Sequence, residues 1–287
     1  MGSESMRVKK NDTAQQHPEI RPGQSIALLQ ALHILTRDGK LNQDSRRKLK
    51  QVYHLYQFIE PLLQDVKSAR DAVTLVDHGA GKSYLGFILY DLFFKSHKDD
   101  SHIYGIETRA ELVAHSRELA QQLGFTGMSF LDLSVADSIT SDKLPAQVDV
   151  VTALHACNTA TDDAIKFALA KRAKHIVLVP CCQAEVAALL RKNKGSALKH
   201  AVTELWRHPI HTREFGSHVT NVLRCLQLEA HGYQVTVTEL VGWEHSMKNE
   251  LIIASYKNLP GQRAAERLHE ILDMLGLQEL GTRFFTE

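Results

Sequence analysis

The sequence is poor in cysteine and contains no long apolar run. Only four of its 287 residues are cysteine, and two of these, Cys181 and Cys182, are neighbours that pair poorly with each other. This argues against a disulfide framework and favours a reducing compartment. No apolar run approaches the roughly 20 residues that a membrane helix needs, and the polar first segment lacks the apolar core of a signal peptide. We predict a cytoplasmic protein.

An excess of charge of one sign is also missing. The chain has 34 Lys and Arg residues against 33 Asp and Glu residues, so its surface as a whole does not attract a polyanion. Three local basic clusters remain, at Arg46–Lys50, Lys171–Lys174 and Arg191–Lys194. Such clusters are most often solvated faces of helices, but they can also guide RNA locally. Composition therefore leaves RNA binding open without indicating it.

Apolar residues make up 44% of the chain, and their spacing changes along it. Helical spacing runs from Ser25 to Thr36, and again from Ser45 until Pro61 disturbs it. Short runs rich in Val, Ile and Leu then alternate with amphipathic segments, which is typical of parallel strands joined by helices. We predict strands at residues 72–77, 102–107, 128–133, 148–154 and 175–180, with helices at 109–124 and 160–173 among the connections.

The chain departs from this alternation after the fifth strand. A mostly helical insert, rich in His and basic residues, occupies about residues 183–230. Two further strands, 233–241 and 250–257, are separated by a polar loop too short for a crossover, so they must form an antiparallel hairpin. We therefore predict an α/β fold: a seven-stranded, mostly parallel sheet with an antiparallel terminal hairpin, plus N-terminal helices and the helical insert.

This order of elements resembles the Rossmann-like fold of class I S-adenosylmethionine-dependent methyltransferases. The resemblance gives the central part of the chain a fold, and the flanking segments are assigned by their composition. The predicted parts are a disordered N-terminal tail at 1–23, a helical segment at 24–70, the methyltransferase domain at 71–260 and a C-terminal helix at 261–287.

The triplet Gly81-Lys82-Ser83 raises a choice between a phosphate-binding loop and another cofactor turn. A phosphate-binding loop needs its first glycine at position 76, which is Val76 inside a strand. Gly79 and Gly81 instead follow a strand directly and open a helix, as an adenosine-type cofactor requires. Tyr84 stands where a dinucleotide fingerprint has its third glycine. The turn therefore favours a methyltransferase over an NTPase or an oxidoreductase.

Acidic residues stand at the ends of the first three predicted strands. They are Asp77, Glu107 and Asp132. Glu107 is placed to accept both hydroxyls of a ribose, and Asp132 to accept an adenine amino group. Each of the three acids alone also fits a helix cap or a turn. Together, at one edge of a parallel sheet, they fit a ligand crevice better than coincidence.

Further motifs narrow the resemblance to one little-characterised family of methyltransferase domains. The motifs are GAGK at 79–82, His-x-Cys-x-x-Ala-Thr-Asp at 155–162 and the adjacent cysteines at 181–182. The family shares them with a eukaryotic tRNA ribose methyltransferase, which carries a further glycine where this chain has Ser83. The resemblance covers about residues 45–257. It implies S-adenosylmethionine as the cofactor, bound by Asp77, His78, Gly79, Ala80, Gly81, Glu107, Thr108, Asp132, Leu133 and Leu154.

Three polar segments follow the fourth, fifth and sixth strands, and parallel-sheet topology brings them to the edge that holds the cofactor. They supply the catalytic candidates His155, Cys182 and His245. His155 is the best candidate base because its unperturbed pKa lies near neutrality. It also fits a helix cap, and the cysteines also fit small buried apolar residues. A covalent mechanism through Cys182 is the less favoured alternative, and the His and Cys spacings match no ordinary zinc site, so no metal is predicted.

These observations predict an S-adenosylmethionine-dependent methyltransferase. The acceptor is expected to be an oxygen or nitrogen nucleophile, and the basic clusters make RNA the favoured substrate class. A protein or a small molecule as the acceptor is an open alternative. A methyltransferase fold that acts only as an interaction module is another, although an intact cofactor turn speaks against it.

Overall fold

The computed structural model describes residues 18–97, 99–154, 159–180, 183–193, 201–240 and 250–285. Its centre is a seven-stranded sheet with the strand order β3-β2-β1-β4-β5-β7-β6. Neighbouring strands from β3 to β5 pair in parallel, whereas β7 pairs antiparallel with both β5 and β6. The predicted sheet with its antiparallel hairpin is confirmed.

The seven strands lie within two residues of their predicted positions at each end. They are β1 Thr74–His78, β2 His102–Glu107, β3 Met128–Asp132, β4 Val150–Leu154, β5 His175–Val179, β6 Tyr233–Glu239 and β7 Glu250–Tyr256. Because β1 to β5 are parallel, their carboxyl ends share one edge of the sheet, and their amino ends share the other. These are called the carboxyl edge and the amino edge below.

Ten helices flank the sheet in the described part of the chain. They are α1 Ile26–Ala31, α2 Gln43–Ala69, α3 Tyr84–Leu92, α4 Ala110–Leu123, α5 Val135–Thr140, α6 Ala160–Ala170, α7 Glu185–Lys192, α8 Pro209–Ala230, α9 Gln262–Met274 and α10 Gly281–Phe284. Helices α1 to α4 cover one apolar face of the sheet, and α5, α6 and the end of α8 cover the other. None of these helices has the length and apolar character to cross a bilayer.

The N-terminal helices differ from the prediction in two places. Helix α1 ends at Ala31 rather than continuing to Thr36, because the chain turns back at His33 and buries Ile34. Helix α2 continues through Pro61 instead of ending there. Pro61 and Gln57, whose carbonyl the missing N–H would have bonded, both lie on the exposed face of α2, so water can take the place of the lost hydrogen bond.

The prediction of a disordered tail is wrong at residues 18–23. Ile20 is buried in the core beside α2. The guanidinium of Arg21 lies over the rings of Tyr53 and Tyr56, at 5.1 and 4.6 Å from their centroids, and such cation–π contacts are attractive. These contacts fasten residues 20 and 21 to α2.

The insert and the C-terminal helices share a third apolar cluster. Helix α8 packs there against both α7 and α9, and the buried Trp206 stacks on Phe215 with ring centroids 5.0 Å apart. The single C-terminal helix predicted at 261–287 is instead α9 and α10, separated at Gly276, which has a positive φ of 65°. The break lets Leu275 and Leu277 both enter this cluster.

Candidate functional site

The turn between β1 and α3 is short and depends on glycine. Gly79 and Gly81 have positive φ angles of 64° and 58°, a region that other residues enter only with strain. The Ala80 N–H donates to the Ile106 carbonyl at 3.0 Å, which holds the turn against β2. Residues 79–83 alone separate β1 from α3. The turn is therefore too short for a phosphate-binding loop and leaves backbone open to a ligand.

Ser83 is a feature of this turn whose conformation the sequence did not reveal. It adopts the left-handed conformation that favours glycine, with φ 51° and ψ 36°. Its side chain is buried, and its hydroxyl has no hydrogen-bond partner among the described residues. The turn therefore holds a serine in a conformation that glycine adopts at lower cost.

Glu107, the last residue of β2, closes the turn from the side. Its Oε2 accepts the Gly81 N–H at 2.9 Å, and its Oε1 accepts the Thr108 N–H at 3.0 Å. The Arg109 side chain donates Nε to Oε1 at 2.9 Å and Nη2 to Oε2 at 3.2 Å. Burial raises the pKa of Glu107, but the bonds from Arg109 and Gly81 outweigh it and lower the pKa to about 2. The carboxylate is therefore ionised and anchored at the turn.

Asp132 and Leu133 lie beside Glu107 at the carboxyl edge. Asp132 ends β3 and is the register partner of Glu107, while the Leu133 N–H donates to the Glu107 carbonyl at 3.3 Å. The Asp132 side chain is exposed. Leu154 ends β4 at the same edge, half-buried. The structure thus brings the predicted cofactor residues of β1 to β4 together along four adjacent strands.

Asp77 and His78 lie deeper than a surface contact with a ligand would require. Asp77 is buried, and the Thr152 hydroxyl donates to its Oδ1 at 2.6 Å. Burial raises the pKa of Asp77 to about 7 and lowers the pKa of His78 to about 3. The His78 ring packs edge-on to Phe167 of α6, with centroids 4.4 Å apart. The predicted cofactor role of the His78 side chain therefore does not fit its position, and only its backbone borders the turn.

The burial of Asp77 predicts that the free energy of unfolding depends on pH. The Asp77→Asn variant should lack this contribution. In the unfolded chain Asp77 loses its proton near pH 3.8, but in the fold only near pH 7, so the stability that it contributes is complete below pH 3.8 and is lost as pH rises through 7. Without cofactor, we expect Asp77→Asn to exceed the wild type in free energy of unfolding by on the order of 4 kcal/mol at pH 8, and by almost nothing at pH 4.

Urea denaturation at several pH values measures this difference. The exposed Asp142→Asn variant is the matched control and should follow the wild type throughout. A constant difference between Asp77→Asn and the wild type from pH 4 to pH 8 would mean that Asp77 is already ionised in the fold.

The predicted catalytic residues His155, Cys182 and His245 lie outside the described residues. Their neighbours in sequence are described: β4 ends at Leu154, and Gln183 follows the cysteines. Among the residues that the structure describes, no three His, Cys, Asp or Glu side chains are grouped as a metal site requires. The described residues that adjoin 155–158, 181–182 and 241–249 in sequence therefore define the acceptor side of the site.

A buried polar network borders the segments that carry these candidates. Arg224 of α8 donates Nε to Asp162 Oδ1 at 2.6 Å and Nη2 to Asp162 Oδ2 at 3.0 Å. Arg224 also donates to Asn221 at 3.3 Å, and Asn221 donates to Glu250 at 2.5 Å. The Gln183 and Asn221 amides are in contact. The network thus joins α6, α8, the start of β7 and the residue after the cysteines.

A cavity of about 370 Å³ opens beside this network. Thr159, Asp162, Gln183, Glu185, Thr220 and Arg224 are among the residues that line it. The sequence places Asp162 in the motif at 155–162 and Arg224 in the basic insert, and nothing in it pairs the two. Thr159 and Gln183, which line the cavity, adjoin residues 155–158 and 181–182 in sequence, so the cavity is the candidate acceptor pocket.

Comparison with known proteins decides the class of the site. Residues 47–189 match the family model of a methyltransferase domain. These residues are a methyltransferase domain. The matched segment contains the glycine turn, Glu107, Asp132, Leu154 and the start of the buried network. The prediction of a methyltransferase that uses S-adenosylmethionine is therefore confirmed. The more specific resemblance to an RNA-modifying family stays a prediction.

Solved structures similar to the methyltransferase are distant from it in sequence. A Podospora anserina methyltransferase with bound S-adenosylhomocysteine is 13% identical, over 89% of this chain and 100% of that chain, with a TM-score of 0.46. The Synechocystis magnesium protoporphyrin IX methyltransferase is 14% identical, over 80% and 94%, with a TM-score of 0.44. A Geobacter metallireducens precorrin-6y C5,15-methyltransferase is 17% identical, over 65% and 81%, with a TM-score of 0.39. Among curated protein sequences, none matches the chain significantly.

The carboxyl edge of the methyltransferase domain fits its cofactor. Gly79 and Gly81 keep side chains away from the turn, and the ionised Glu107 offers acceptors to ribose hydroxyls. The exposed Asp132 carboxylate lies directly opposite Glu107 on the neighbouring strand, where it can accept from an adenine amino group. When bound, S-adenosylmethionine supplies a methyl group activated on a sulfonium. The Arg109 side chain now occupies one acceptor position on each Glu107 oxygen, so it competes with the ribose for that carboxylate.

Proposed function

We propose that this methyltransferase modifies an oxygen or nitrogen nucleophile of RNA. The observation that carries the proposal is a group of exposed residues around the start of α8: Arg207, His208, His211 and Arg213. Helix α8 ends at Ala230 and leads into β6 at the amino edge, so its first turn lies on the carboxyl side of the sheet. The guanidinium groups of Arg207 and Arg213, on the side that holds the cofactor, are suited to phosphate contacts.

Apolar side chains beside these four residues add contact surface. Leu205 and Ile210 are both 57% exposed beside them. Trp206, in contrast, is buried against Phe215, so the aromatic ring of this segment does not stack a base. Contacts to RNA in this region therefore combine charge with aliphatic surface.

Methyl transfer is a direct displacement and needs no covalent intermediate on the protein. The enzyme must align the nucleophile with the methyl group and remove the proton of the nucleophile. His155 follows β4 directly and is the proposed base, with Cys182 and His245 as the further catalytic candidates. The buried Arg224–Asp162 pair is proposed to hold the borders of the acceptor pocket in place.

Transfer of a labelled methyl group tests the substrate class. The enzyme is incubated with labelled S-adenosylmethionine and cell extract, and the products are treated with RNase or with protease. We expect RNase to release the label. We also expect His155→Asn to lose transfer by roughly a hundredfold or more, as removal of a general base does, while it still binds S-adenosylhomocysteine. Label that survives RNase but is lost to protease would instead identify a protein substrate.

A further inference from the structure

A second cleft opens at the amino edge, on the opposite side of the sheet from the cofactor turn. It has a volume of about 600 Å³. Its lining includes Arg70, Asp149, Arg172, Lys174, Tyr233 and Tyr256. These residues precede or begin β4, β5 and β6 or end α2 and β7. The cleft therefore combines several cations with two aromatic rings, and neither the cofactor nor the acceptor pocket uses it.

Arg172 in this cleft has a strained backbone. Helix α6 ends in a Schellman motif, in which the Arg172 N–H donates to Leu169 and the Ala173 N–H donates to Ala168, at 3.1 and 2.9 Å. Arg172 has a φ of 52° at the position where such motifs usually have glycine. The chain therefore keeps an arginine side chain in the cleft at a position where glycine would cost less.

Charge in the cleft is only partly balanced. Arg70 Nη1 lies 3.0 Å from Asp149 Oδ1, and Lys174 Nζ lies 2.8 Å from Asp65 Oδ2. In the described ranges, no acidic side chain forms an ion pair with Arg172, which is exposed. The cleft therefore presents one cation whose charge is available to an anionic ligand.

Tyr256 gives the cleft a fixed aromatic surface. Its ring packs edge-on to Tyr233 with centroids 5.4 Å apart, and its hydroxyl donates to Asn258 at 3.1 Å. The Tyr233 hydroxyl in turn donates to the Ala173 carbonyl at 2.6 Å, next to Arg172. Tyr256 remains 47% exposed. An exposed ring held by its neighbours is a surface on which a base can stack.

We infer that the amino-edge cleft binds a nucleotide of the RNA strand, with the base on Tyr256 and a phosphate on Arg172. This inference rests on the proposed function and extends it to a second RNA contact. A ring and a cation that line the same cleft match a nucleotide better than an acidic peptide, which offers charge but no flat surface. Because the two edges are separated by a strand of about 17 Å, the bound RNA must extend well beyond the modified nucleotide.

The Arg172→Gly variant separates binding from folding. Glycine relieves the backbone strain, so we expect the Tm to rise by about 2 °C. Loss of one phosphate contact lowers RNA affinity and reduces the slope of log K against log salt by about 0.7, the value for single strands. Affinity is measured by fluorescence anisotropy with an end-labelled single-stranded RNA of mixed sequence.

His33→Gly is the matched control for this variant. His33 has the same left-handed backbone, with φ 55°, and an exposed side chain remote from the cleft. We expect it to raise the Tm similarly and to leave RNA binding unchanged. Tyr256→Ala should weaken RNA binding roughly tenfold through lost stacking, with S-adenosylhomocysteine binding unaffected.

The outcomes distinguish this inference from the function on which it rests. If the wild type binds and methylates RNA but Arg172→Gly and Tyr256→Ala bind it equally well, the second contact is refuted and the proposed function stands. If the wild type neither binds nor methylates RNA, both are refuted. Weaker binding by both variants, with the control unchanged, supports the cleft as an RNA site.

Discussion

The Glu107→Gln variant is expected to bind S-adenosylhomocysteine about a hundredfold more weakly than the wild type. Each ribose hydroxyl that donates to the carboxylate contributes a charge-assisted hydrogen bond, and two such bonds are worth about 3 kcal/mol. A glutamine amide has one oxygen that accepts hydrogen bonds instead of two. If its NH2 group replaces Oε2, it faces the Gly81 N–H and Arg109 Nη2, which are themselves donors. Isothermal titration calorimetry measures the affinity.

Two variants keep this result specific to the carboxylate. Glu118→Gln removes an exposed carboxylate of α4 that accepts only from Gln122 among the described residues, at 3.1 Å, and it should bind S-adenosylhomocysteine like the wild type. Arg109→Ala removes the ion pair with Glu107 but leaves the carboxylate. Because Arg109 occupies acceptor positions that the ribose needs, this variant should bind at least as tightly as the wild type.

The comparison of Glu107→Gln with Arg109→Ala decides between two explanations. An equal loss of S-adenosylhomocysteine affinity in both variants would mean that the Glu107–Arg109 ion pair supports binding by shaping the turn. Unchanged binding by Glu107→Gln would remove the assignment of Glu107 to the ribose altogether. Circular dichroism of each variant establishes that the turn and the sheet are still folded.

The cofactor edge could be predicted from sequence because its signals are local. Gly79 and Gly81 stand where a strand turns into a helix, and such a turn needs positive φ angles. Glu107 and Asp132 each end an apolar run of strand length. Parallel topology then requires the two carboxylates to be neighbours, and the register of β2 and β3 places them so. A short motif and one topological rule were sufficient for this part of the site.

The acceptor side could not be predicted in the same way because its partners are distant in sequence. Asp162 and Arg224 are 62 positions apart, and only the packing of α8 against α6 brings them together. A charged residue at the start of a helix normally favours the helix dipole, so Asp162 alone indicated nothing more. Arg224 and Gln227, three positions apart on one face of α8, are both buried, which only the structure shows.

Backbone strain was equally invisible in the sequence. Nothing in the residue types shows that Ser83 and Arg172 adopt left-handed conformations, since only the surrounding hydrogen bonds impose them. At Ser83 the strain maintains the cofactor turn. Arg172 belongs to a basic cluster that the sequence shows, but its left-handed backbone at a helix end beside the second cleft is visible only in the structure.

The Arg224→Met variant is expected to lose about 3–5 kcal/mol of the free energy of unfolding. Arg224 is 1% exposed and Asp162 is buried with it. Methionine fills much of the same volume, but among the described residues it leaves the buried Asp162 carboxylate only the ion pair with Arg283, whose Nη1 lies 3.5 Å from Asp162 Oδ2. A loss of this size is a large part of the roughly 5–15 kcal/mol that stabilises a typical domain. Urea denaturation measures it.

Arg213→Met is the matched control on the same helix. Arg213 Nε lies 3.0 Å from Glu214 Oε1, but both side chains are exposed. Exposed ion pairs contribute about 0–1 kcal/mol because water screens them. The control should therefore unfold close to the wild type, and a loss equal to that of Arg224→Met would show that burial of the Arg224 pair has no special role.

The double variant Arg224→Met, Asp162→Asn separates the orphaned charge from lost packing. If the cost of Arg224→Met arises from an uncompensated buried carboxylate, removing that charge should restore part of the loss, and the two substitutions should be strongly non-additive. Methyl transfer adds a second readout, because the pair borders the acceptor pocket and not the cofactor turn. We expect the double variant to bind S-adenosylhomocysteine like the wild type while kcat falls. Equal stability of the single and double variants would instead assign the whole loss to packing of the Arg224 side chain.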